Sequence, residues 1–432
     1  MLRFATSPTG DMQIGDLRVA LFNYIMSKQR NEDLIIRIED IDKEKNIEGK
    51  DEEILGLLSL FDIEYSHVIY QSERVRFHTA MALQLIHDKK AFSCFCSDEW
   101  LEKKREEAKE NKKEYSYDDA CRNLPDELVI DNMNPFTIRL GRPDKTVVTN
   151  DLIKGEISFE PDAVDSFIVM NQDKTPTYNF ACAVDDMLSD ISLVIRDEDH
   201  MNDTPKQDYI RASLGYEKKV QYAHLPIILN DNGEEIGKRD ETASIKWLLE
   251  EGFLPEAISN YLISIGNKPP QEIFDTKDAI EWFTLDSLSK SPACFSFELL
   301  KHINKEHLKN MDATELSRYV GFADANIGEL AKIYLEEAST TKELKSKVAT
   351  IFATKEITGE FAETAQIMAE TIKGAPYFEE YDDFKNYIMK ESGLNDENFL
   401  KALRFLLTGA EHGPDVALVY KYLKNYIGEI VK

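Results

Sequence analysis

The pattern of apolar and polar positions at the start of the chain predicts a strand, a helix and a second strand. Leu2–Ala5 is a short apolar segment, and the turn SPTGDMQIG follows it. From Asp16 to about Arg30 apolar residues recur at helical spacing, and LIIRIED (34–40) is then a β-branched run typical of a buried parallel strand. This order predicts the opening βαβ unit of a doubly wound nucleotide-binding domain.

The remaining pattern predicts a longer α/β region and then a helical one. A helical hairpin is expected over residues 50–90, and a charged helix over 99–114. Further strands are expected at FTIRL (136–140), ISFE (157–160) and DSFIVM (165–170). From about residue 240 the pattern is helical almost throughout, and Gly409 is expected to end the helix ENFLKALRFLLT. The chain therefore reads as an α/β half followed by an all-α half.

Composition narrows the class of protein. The chain is 42% apolar and 31% charged, which is typical of a soluble globular protein, and no run approaches the ~20 apolar residues that span a bilayer. The N-terminus has no secretory pattern, so we expect a cytoplasmic protein without membrane contact. The net charge is -28, from 80 acidic and 52 basic residues, which argues against a nucleic-acid partner. A local basic stripe can still bind RNA on an acidic protein, so the charge does not exclude one.

The cysteines indicate a metal rather than a disulfide framework. Of the five, three fall in the pattern C-x-C-x20-Y-x3-C, formed by Cys94, Cys96, Tyr117 and Cys121. Thiolates at this spacing can converge on one tetrahedral ion. The alternative is a metal-free hairpin with buried cysteines.

The first turn is suited to an anion, because a turn between a strand and a helix places backbone N–H groups and a helix N-terminus together. By itself this signal is weak, since a strand and a helix can be joined in this way without any ligand.

Several segments together resemble the glutamyl-tRNA synthetases, which are class I enzymes. RFATSPTGDMQIGDLRVAL resembles the opening that carries the family's HIGH motif. In order and spacing the family is also resembled by RIEDID (37–42), YQSERVRFH (70–78), TPTYNFACAVDD (175–186), VIRDEDH (194–200), TPKQ (204–207), HLPIIL (224–229) and EIGKRDETASI (235–245), the last at the position of the KMSKS motif. The resemblance covers about the first 300 residues and continues more weakly into the helical half.

The resemblance implies a domain order for the chain. It implies a Rossmann-like catalytic domain in two parts (1–93 and 175–240), divided by an inserted domain that binds the tRNA acceptor end (94–174). A helical stem-contact region (241–310) and an all-helical anticodon-binding region (311–432) follow. A bacterial glutaminyl-tRNA synthetase would end in β-barrels and a shortened tRNA-modifying paralogue would lack the tail, so the helical tail disfavours both.

The resemblance also implies the reaction. The α-carboxylate of L-glutamate attacks the α-phosphorus of ATP, with Mg²⁺, and pyrophosphate leaves. The terminal ribose hydroxyl of tRNA(Glu) then attacks the mixed anhydride, and it stays open whether tRNA(Gln) is charged too. Such chemistry depends chiefly on positioning and charge stabilisation. We expect a monomer. We also expect a structural Zn²⁺, because some bacterial members carry this cysteine pattern.

Site residues follow by matching positions. The glutamate site is expected to contain Arg3, Ala5, Ser7, Glu39, Tyr178 and Arg196. The ATP site is expected to contain Gly15, Asp16, Lys238 and Arg239, with Lys238 and Gln13 as catalytic residues and Cys94, Cys96, Tyr117 and Cys121 as metal ligands. Guanidinium groups suit a substrate with two carboxylates, and a lysine can neutralise the departing pyrophosphate.

The chain departs from the family pattern at the two motifs. Gln13 and Asp16 replace the first and last histidines of HIGH, Thr6 stands at a usual proline, and Glu235 and Gly237 replace a lysine and a serine of the second motif. Losing one transition-state donor typically costs ~3–4 kcal/mol. The leading hypothesis is an active ligase. The alternatives are a catalytically weakened paralogue that binds tRNA or regulates, and a generic nucleotide-binding α/β protein, which would leave the later motifs unexplained.

Overall fold

The structure is a computed structural model that describes residues 1–112, 115–161, 164–230, 232–234, 236, 243–358, 361–395 and 397–431. Its strands are β1 (Leu2–Thr6), β2 (Leu34–Ile38), β3 (His67–Tyr70), β4 (Ala91–Cys94), β5 (Thr137–Leu140), β6 (Val147–Asp151), β7 (Gly155–Phe159), β8 (Phe167–Met170), β9 (Leu193–Asp197), β10 (Gln221–Leu225), β11 (Ile228–Leu229) and β12 (Ala293–Cys294).

The first ten helices are α1 (Ile14–Arg30), α2 (Lys50–Leu60), α3 (Val75–His87), α4 (Asp98–Glu110), α5 (Asp126–Ile130), α6 (Tyr178–Leu188), α7 (Thr204–Ser213), α8 (Ile245–Glu250), α9 (Pro255–Ser264) and α10 (Thr276–Trp282). The remaining ones are α11 (Phe297–Asn310), α12 (Ala313–Tyr319), α13 (Ala325–Ile333), α14 (Thr341–Phe352), α15 (Ala362–Lys373), α16 (Tyr381–Ser392), α17 (Glu397–Thr408), α18 (Val416–Leu423) and α19 (Ile427–Ile430). Among the described residues, no helix has both the length and the apolar character needed to cross a membrane.

The chain forms two compact units. The first contains Met1–Ile245, Leu262–Pro270 and Thr276–Phe295, and the second contains Lys246–Tyr261, Gln271–Asp275 and Ser296–Lys432. The predicted order, an α/β half before an all-α half, is confirmed.

A seven-stranded sheet organises the first unit, in the order β3-β2-β1-β9-β10-β6-β7. Every pair is parallel except β6–β7, which is antiparallel. All five residues of β2 are buried, as expected for a central strand of a doubly wound sheet. The chain leaves β1 towards β2 on one side, and β9 pairs with β1 on the other. The strand order therefore reverses between β1 and β9. Folds of this kind bind ligands at the carboxyl ends of the strands on either side of such a reversal.

The opening βαβ unit is confirmed, as are the charged helix (α4) and the three later predicted strands (β5, β7 and β8). The helical hairpin over 50–90 is wrong in one respect, because β3 lies between α2 and α3. β3 pairs in parallel with β2, with Ile35 opposite His67. Such a short strand is stabilised by its neighbour in the sheet rather than by its own pattern.

Residues 94–174 contribute to two sheets. β5 lies between β4 and β8 in a three-stranded antiparallel sheet. β6 and β7 form a hairpin that continues the main sheet instead, with Asp151 of β6 opposite Tyr222 of β10. The hairpin thereby brings Asp151 to the main seven-stranded sheet.

The second unit is helical. Gly409 ends α17 with a φ of 73°, and its N–H donates to the Phe405 carbonyl at 2.8 Å, so the predicted helix end is confirmed. Arg404 of the same helix donates to the carbonyls of Gly413 and Pro414, at 3.2 and 2.7 Å. Its guanidinium therefore holds the loop before α18.

Candidate active site and thiol cluster

A cavity of about 290 Å³ lies at the carboxyl ends of β1, β2 and β9. Most of the residues predicted for substrate binding line it: Arg3, Ala5, Ser7, Asp16, Glu39, Tyr178 and Arg196. Arg37 and His200, which were not predicted, line it as well. A doubly wound fold favours a ligand site at the point where the strand order reverses, and these separate segments meet there.

Two of the cavity's arginines share one buried carboxylate. Nε of Arg3 lies 3.4 Å from Oδ1 of Asp186, and Arg37 donates to the same oxygen. Arg37 also donates to Oε1 of Glu39 at 3.0 Å. Burial would raise the pKa of Asp186, but Arg37 and Arg3 outweigh it, so this pKa lies below its usual value and the carboxylate is ionised.

Arg196 differs from these two arginines because its partners are neutral. It donates from Nε to Nε2 of His224 at 3.1 Å, from Nη1 to Oε1 of Gln207 at 2.9 Å, and from Nη2 to Oγ1 of Thr204 at 2.8 Å. Within the described residues, no carboxylate lies within ion-pair distance of this guanidinium, which is only 7% exposed. A buried cation with neutral partners at a cavity wall is a strong attractor for an anion.

Glu39 and Tyr178 also line the cavity, and the Cys182 thiol contacts Glu39. Sγ of Cys182 donates to Oε1 of Glu39 at 3.2 Å, and burial raises the pKa of this thiol well above its usual value. Oη of Tyr178 lies 3.3 Å from Nδ1 of His200, which in turn lies 3.1 Å from Asp203. The cavity thus offers both a carboxylate acceptor and guanidinium donors, the groups that an amino acid requires.

The start of α1 holds the predicted nucleotide-binding residues. The backbone N–H of Gln13 donates to Oδ2 of Asp16 at 2.9 Å, and its side-chain amide donates to the Asp11 carbonyl at 3.1 Å. A β-carbon on Gly15 would lie 3.8 Å from Oδ2 of Asp197. Asp16 reaches the cavity, whereas Gln13 and Gly15 are not among the residues that line it. The residues of the second motif that were singled out, Glu235, Gly237, Lys238 and Arg239, lie outside the described residues.

The predicted metal ligands come together in the same unit. Oη of Tyr117 lies 3.3 Å from Sγ of Cys94 and 3.4 Å from Sγ of Cys96, and Sγ of Cys96 lies 3.6 Å from Sγ of Cys121. The guanidinium of Arg139 stacks on the Tyr117 ring, with its carbon 3.9 Å from the ring centre. A tetrahedral zinc with Zn–S bonds of about 2.3 Å separates two sulfur ligands by about 3.8 Å. The thiol sulfurs all lie within 4.8 Å of one another, so this cluster fits such an ion.

Comparison with known proteins decides the family. The family model "tRNA synthetases class I (E and Q), catalytic domain" matches residues 1–302. The chain is 69% identical over 432 residues to "Glutamate--tRNA ligase 2" of Sulfurimonas denitrificans, with all of both chains covered. The chain belongs to the glutamate–tRNA ligases. A second member of this family, "Glutamate--tRNA ligase 1" of Nitratiruptor sp., is 52% identical over the same full length.

Solved structures of the ligase family share the fold. The glutamate–tRNA synthetase of Elizabethkingia anophelis has a TM-score of 0.82 at 25% identity, covering 99% of this chain and 98% of its own. A glutamate–tRNA ligase of Elizabethkingia meningosepticum, solved in complex with its amino acid, has a TM-score of 0.83 at 24% identity, covering 99% and 97%. Both the class I catalytic fold and the helical second half are therefore those of a ligase.

Sequence reasoning gave no role to several residues in and around this cavity. Arg37, Cys182 and His224 lie inside motifs that resembled the family, but no role was given to them individually. Asp151 lies in the segment that the resemblance assigns only to the inserted domain. Charged or polar residues inside apolar strands, such as the arginine of LIIRI and the histidine of HLPIIL, are the signal that could have found two of these residues.

Proposed function

We propose that this chain activates L-glutamate with ATP and Mg²⁺ and transfers the glutamyl group to the 3′-terminal adenosine of tRNA(Glu). The observation that carries the proposal is the buried Arg196 guanidinium, which has only neutral partners among the described residues and faces a cavity of amino-acid size. A substrate carboxylate would supply its missing counter-charge.

The cavity residues have distinct roles in this proposal. Arg3 and Arg196 bind the two carboxylates of glutamate, since guanidinium groups match carboxylate geometry. Glu39 accepts from the amino group, while Tyr178 completes the pocket. Ala5 and Ser7 contact the substrate from the end of β1, and all of these residues except Glu39 and Tyr178 come from the adjacent strands β1 and β9 or from the residues that follow them.

ATP lies at the start of α1 in the same proposal. Backbone N–H groups around Gly15 and the helix N-terminus favour phosphate. Gln13 donates through its amide, and Lys238 and Arg239 neutralise the charge that develops on pyrophosphate. Asp16 is an unfavourable neighbour for phosphate unless a cation lies between them, and Mg²⁺ is such a cation.

A structural zinc is the second part of the proposal. Cys94, Cys96 and Cys121 would hold the ion, with Tyr117 as the fourth ligand. The ion would cross-link β4 to the segment after α4, because its ligands come from both. This contribution is to folding of the acceptor-binding region and not to the reaction.

The domain roles follow the family. Residues 94–174 would receive the tRNA acceptor end, 241–310 would contact its stem and 311–432 would bind the anticodon. We further propose that the ligase is a cytoplasmic monomer. tRNA(Gln) is the second candidate substrate.

The test is single-turnover transfer of labelled glutamate to purified tRNA(Glu) and, separately, to tRNA(Gln), with ATP and Mg²⁺. Transfer to tRNA(Glu) is expected, and the ratio of the two rates gives the tRNA scope. Glutamine and aspartate serve as controls, because they alter one carboxylate or its distance. Binding of tRNA without transfer would overturn the proposal and favour a weakened paralogue.

A further inference from the structure

A chain of buried hydrogen bonds connects Arg196 to a residue that does not line the cavity. Arg196 of β9 and His224 of β10 are opposite one another in the parallel register. Nε2 of His224 lies 3.1 Å from Nε of Arg196, and Nδ1 of His224 lies 2.6 Å from Oδ2 of Asp151. His224 has no exposed surface and is absent from the cavity wall.

The hydrogen bonds fix which nitrogen of His224 carries the proton. Oδ2 of Asp151 accepts from both the backbone N–H and Nδ1 of His224. Oδ1 of Asp151 accepts from the backbone N–H groups of Ile153 and Lys154, at 2.8 and 2.7 Å. Because the carboxylate only accepts, Nδ1 must be the protonated nitrogen, and Nε2 is left with a lone pair. That lone pair is what the Arg196 Nε–H requires.

We propose that His224, held in its Nδ1–H form by Asp151, is a positioning residue that orients the Arg196 guanidinium for the substrate carboxylate. A proton added at Nε2 would replace the acceptor by a donor and place two cations face to face. Arg196 would then lose its Nε partner, while its bonds to Gln207 and Thr204 remain. This inference rests on the proposed role of Arg196 in glutamate binding.

The charged groups around His224 come from several elements. Asp151 on β6 favours the protonated ring, whereas Arg196 on β9 and His200, in the segment before α7, oppose it. Tyr222, on the same strand as His224, stacks on the ring with centres 5.8 Å apart. Burial is the largest influence and lowers the pKa of His224 below its usual value. The ring is therefore neutral at neutral pH and gains its proton only at a pH below the usual histidine value.

The α7 side contributes neutral groups. Oγ1 of Thr204 lies 3.1 Å from Nε2 of His224 and 2.8 Å from Nη2 of Arg196. Gln207 accepts from Arg196 and donates to the Asn179 side chain at 2.9 Å. Because these contacts hold two of the three guanidinium nitrogens without help from His224, loss of the His224 contact should misorient Arg196 rather than unfold the site.

The experiment measures the glutamate KM in tRNA aminoacylation from about pH 8 to about pH 5, because the titration must extend below the usual histidine value. The full-length wild type is expected to show a glutamate KM that rises about tenfold or more at the acid end, as loss of a hydrogen bond to a charged group implies. The ATP KM and the circular dichroism spectrum are expected to stay constant.

Four variants separate positioning from simple structural damage. In His224→Gln the acid-dependent rise should disappear, and the KM at neutral pH should lie between those of wild type and His224→Leu, because glutamine keeps an acceptor. In Asp151→Asn the rise should move to lower pH, since the carboxylate that favours the imidazolium is gone. His200→Gln is the matched control, because His200 lines the cavity itself. It should keep the rise, at the wild-type pH or a slightly higher one, since the charge of His200 opposes protonation of His224.

The outcomes are distinguishable. A wild-type glutamate KM that does not change with pH, or a rise that persists in His224→Gln, would overturn the inference while leaving the ligase activity established. A rise that is lost in His200→Gln and kept in His224→Gln would assign the effect to His200 and would also overturn it. No glutamyl-tRNA from the wild type at any pH would overturn the proposed function, and with it this inference. Should His224→Gln fail to fold, the wild type and Asp151→Asn still decide.

Discussion

The thiol of Cys182 lies 3.2 Å from Oε1 of Glu39, a residue that lines the cavity of the proposed glutamate site. The same oxygen accepts from Arg37, so a neutral and a charged donor hold one carboxylate. Arg37 and Cys182 therefore orient the Glu39 carboxylate, and the residues directly before and after Glu39 do not. The thiol therefore supports the site through Glu39, although it does not line the cavity itself.

Removing this donor should weaken glutamate binding. Cys182→Ala is expected to raise the glutamate KM several-fold with a smaller change in kcat, because about 1 kcal/mol of hydrogen bonding to Glu39 is lost. Cys182→Ser keeps a donor and should retain most of the affinity. Cys294→Ala, at an exposed cysteine, is the control. Equal KM values in Cys182→Ala and wild type would contradict the role of the thiol.

The carboxylate shared by Arg3 and Arg37 should be essential for stability. Asp186→Asn leaves two buried cations short of a counter-ion and is expected to cost about 3 kcal/mol or more in urea denaturation. Because the pKa of Asp186 is lowered on folding, its stabilisation is present above the unfolded value of 3.8 and is lost as the pH falls through the folded value. Asp190→Asn, which breaks an exposed pair with Lys218, should cost about 0–1 kcal/mol. Similar losses in the two variants would refute the argument.

Asp197 should destabilise the fold at neutral pH. Burial, followed by the charge of Asp16, raises its pKa from 3.8 to about 6. A carboxyl group with a raised pKa binds more protons when folded, so stability falls as the pH rises from 3.8 to about 6 and is constant above that range. Asp197→Asn should therefore raise the free energy of unfolding at pH 7 by up to about 3 kcal/mol and by little below pH 4. Asp199→Asn, at an exposed carboxylate, should change it little, and a gain at acid pH in Asp197→Asn would contradict this reasoning.

The thiol cluster predicts one zinc per chain. Elemental analysis of the purified protein should find it, and Cys121→Ser should abolish it, because a hydroxyl is a poor zinc ligand. Tyr117→Phe should retain zinc less tightly against a chelator if the phenol coordinates. Cys182→Ser, at a cysteine outside the cluster, should keep a full complement. Zinc retention should also decrease as the pH is lowered, since protons compete with the metal for the thiolates. Metal-free wild type with undiminished stability would support the hairpin without metal.

The role proposed for Lys238 predicts that its substitution impairs the chemical step without impairing glutamate binding. Lys238→Ala should abolish most aminoacylation while glutamate binding stays nearly intact, because this charge acts on the leaving pyrophosphate. Isothermal titration with glutamate and single-turnover aminoacylation measure the two effects separately. Equal activity in the variant and the wild type would remove Lys238 from the mechanism.

Sequence reasoning found the elements whose signal is local. β1, α1 and β2 follow one another with their own apolar periods, and Gly409 ends its helix by a conformation that glycine favours. β3 was missed because HVIY is too short to show a period and is stabilised by pairing with β2. β6 was missed for the same reason, since its place in the sheet depends on a partner about seventy residues away, in β10.

The site residues divide in the same way, into those with a local sequence signal and those without one. Arg3, Glu39 and Arg196 could be predicted because each lies in a segment that resembles the family. His224 and Asp151 could not be given roles, because their relation to Arg196 exists only once β6, β9 and β10 lie side by side. Pairing across strands is a property of the sheet and leaves no mark within any one segment.

The β6–β7 hairpin limits how this ligase can be recombined with its relatives. A chimera cut at residues 94 and 174 would import a foreign β6 along with a foreign acceptor-binding region, and with it the residue that faces His224. A graft that keeps Val147–Phe159 native would preserve that residue and the edge of the sheet. The boundary at which a chimera should be cut therefore lies within the inserted segment and not at its two ends.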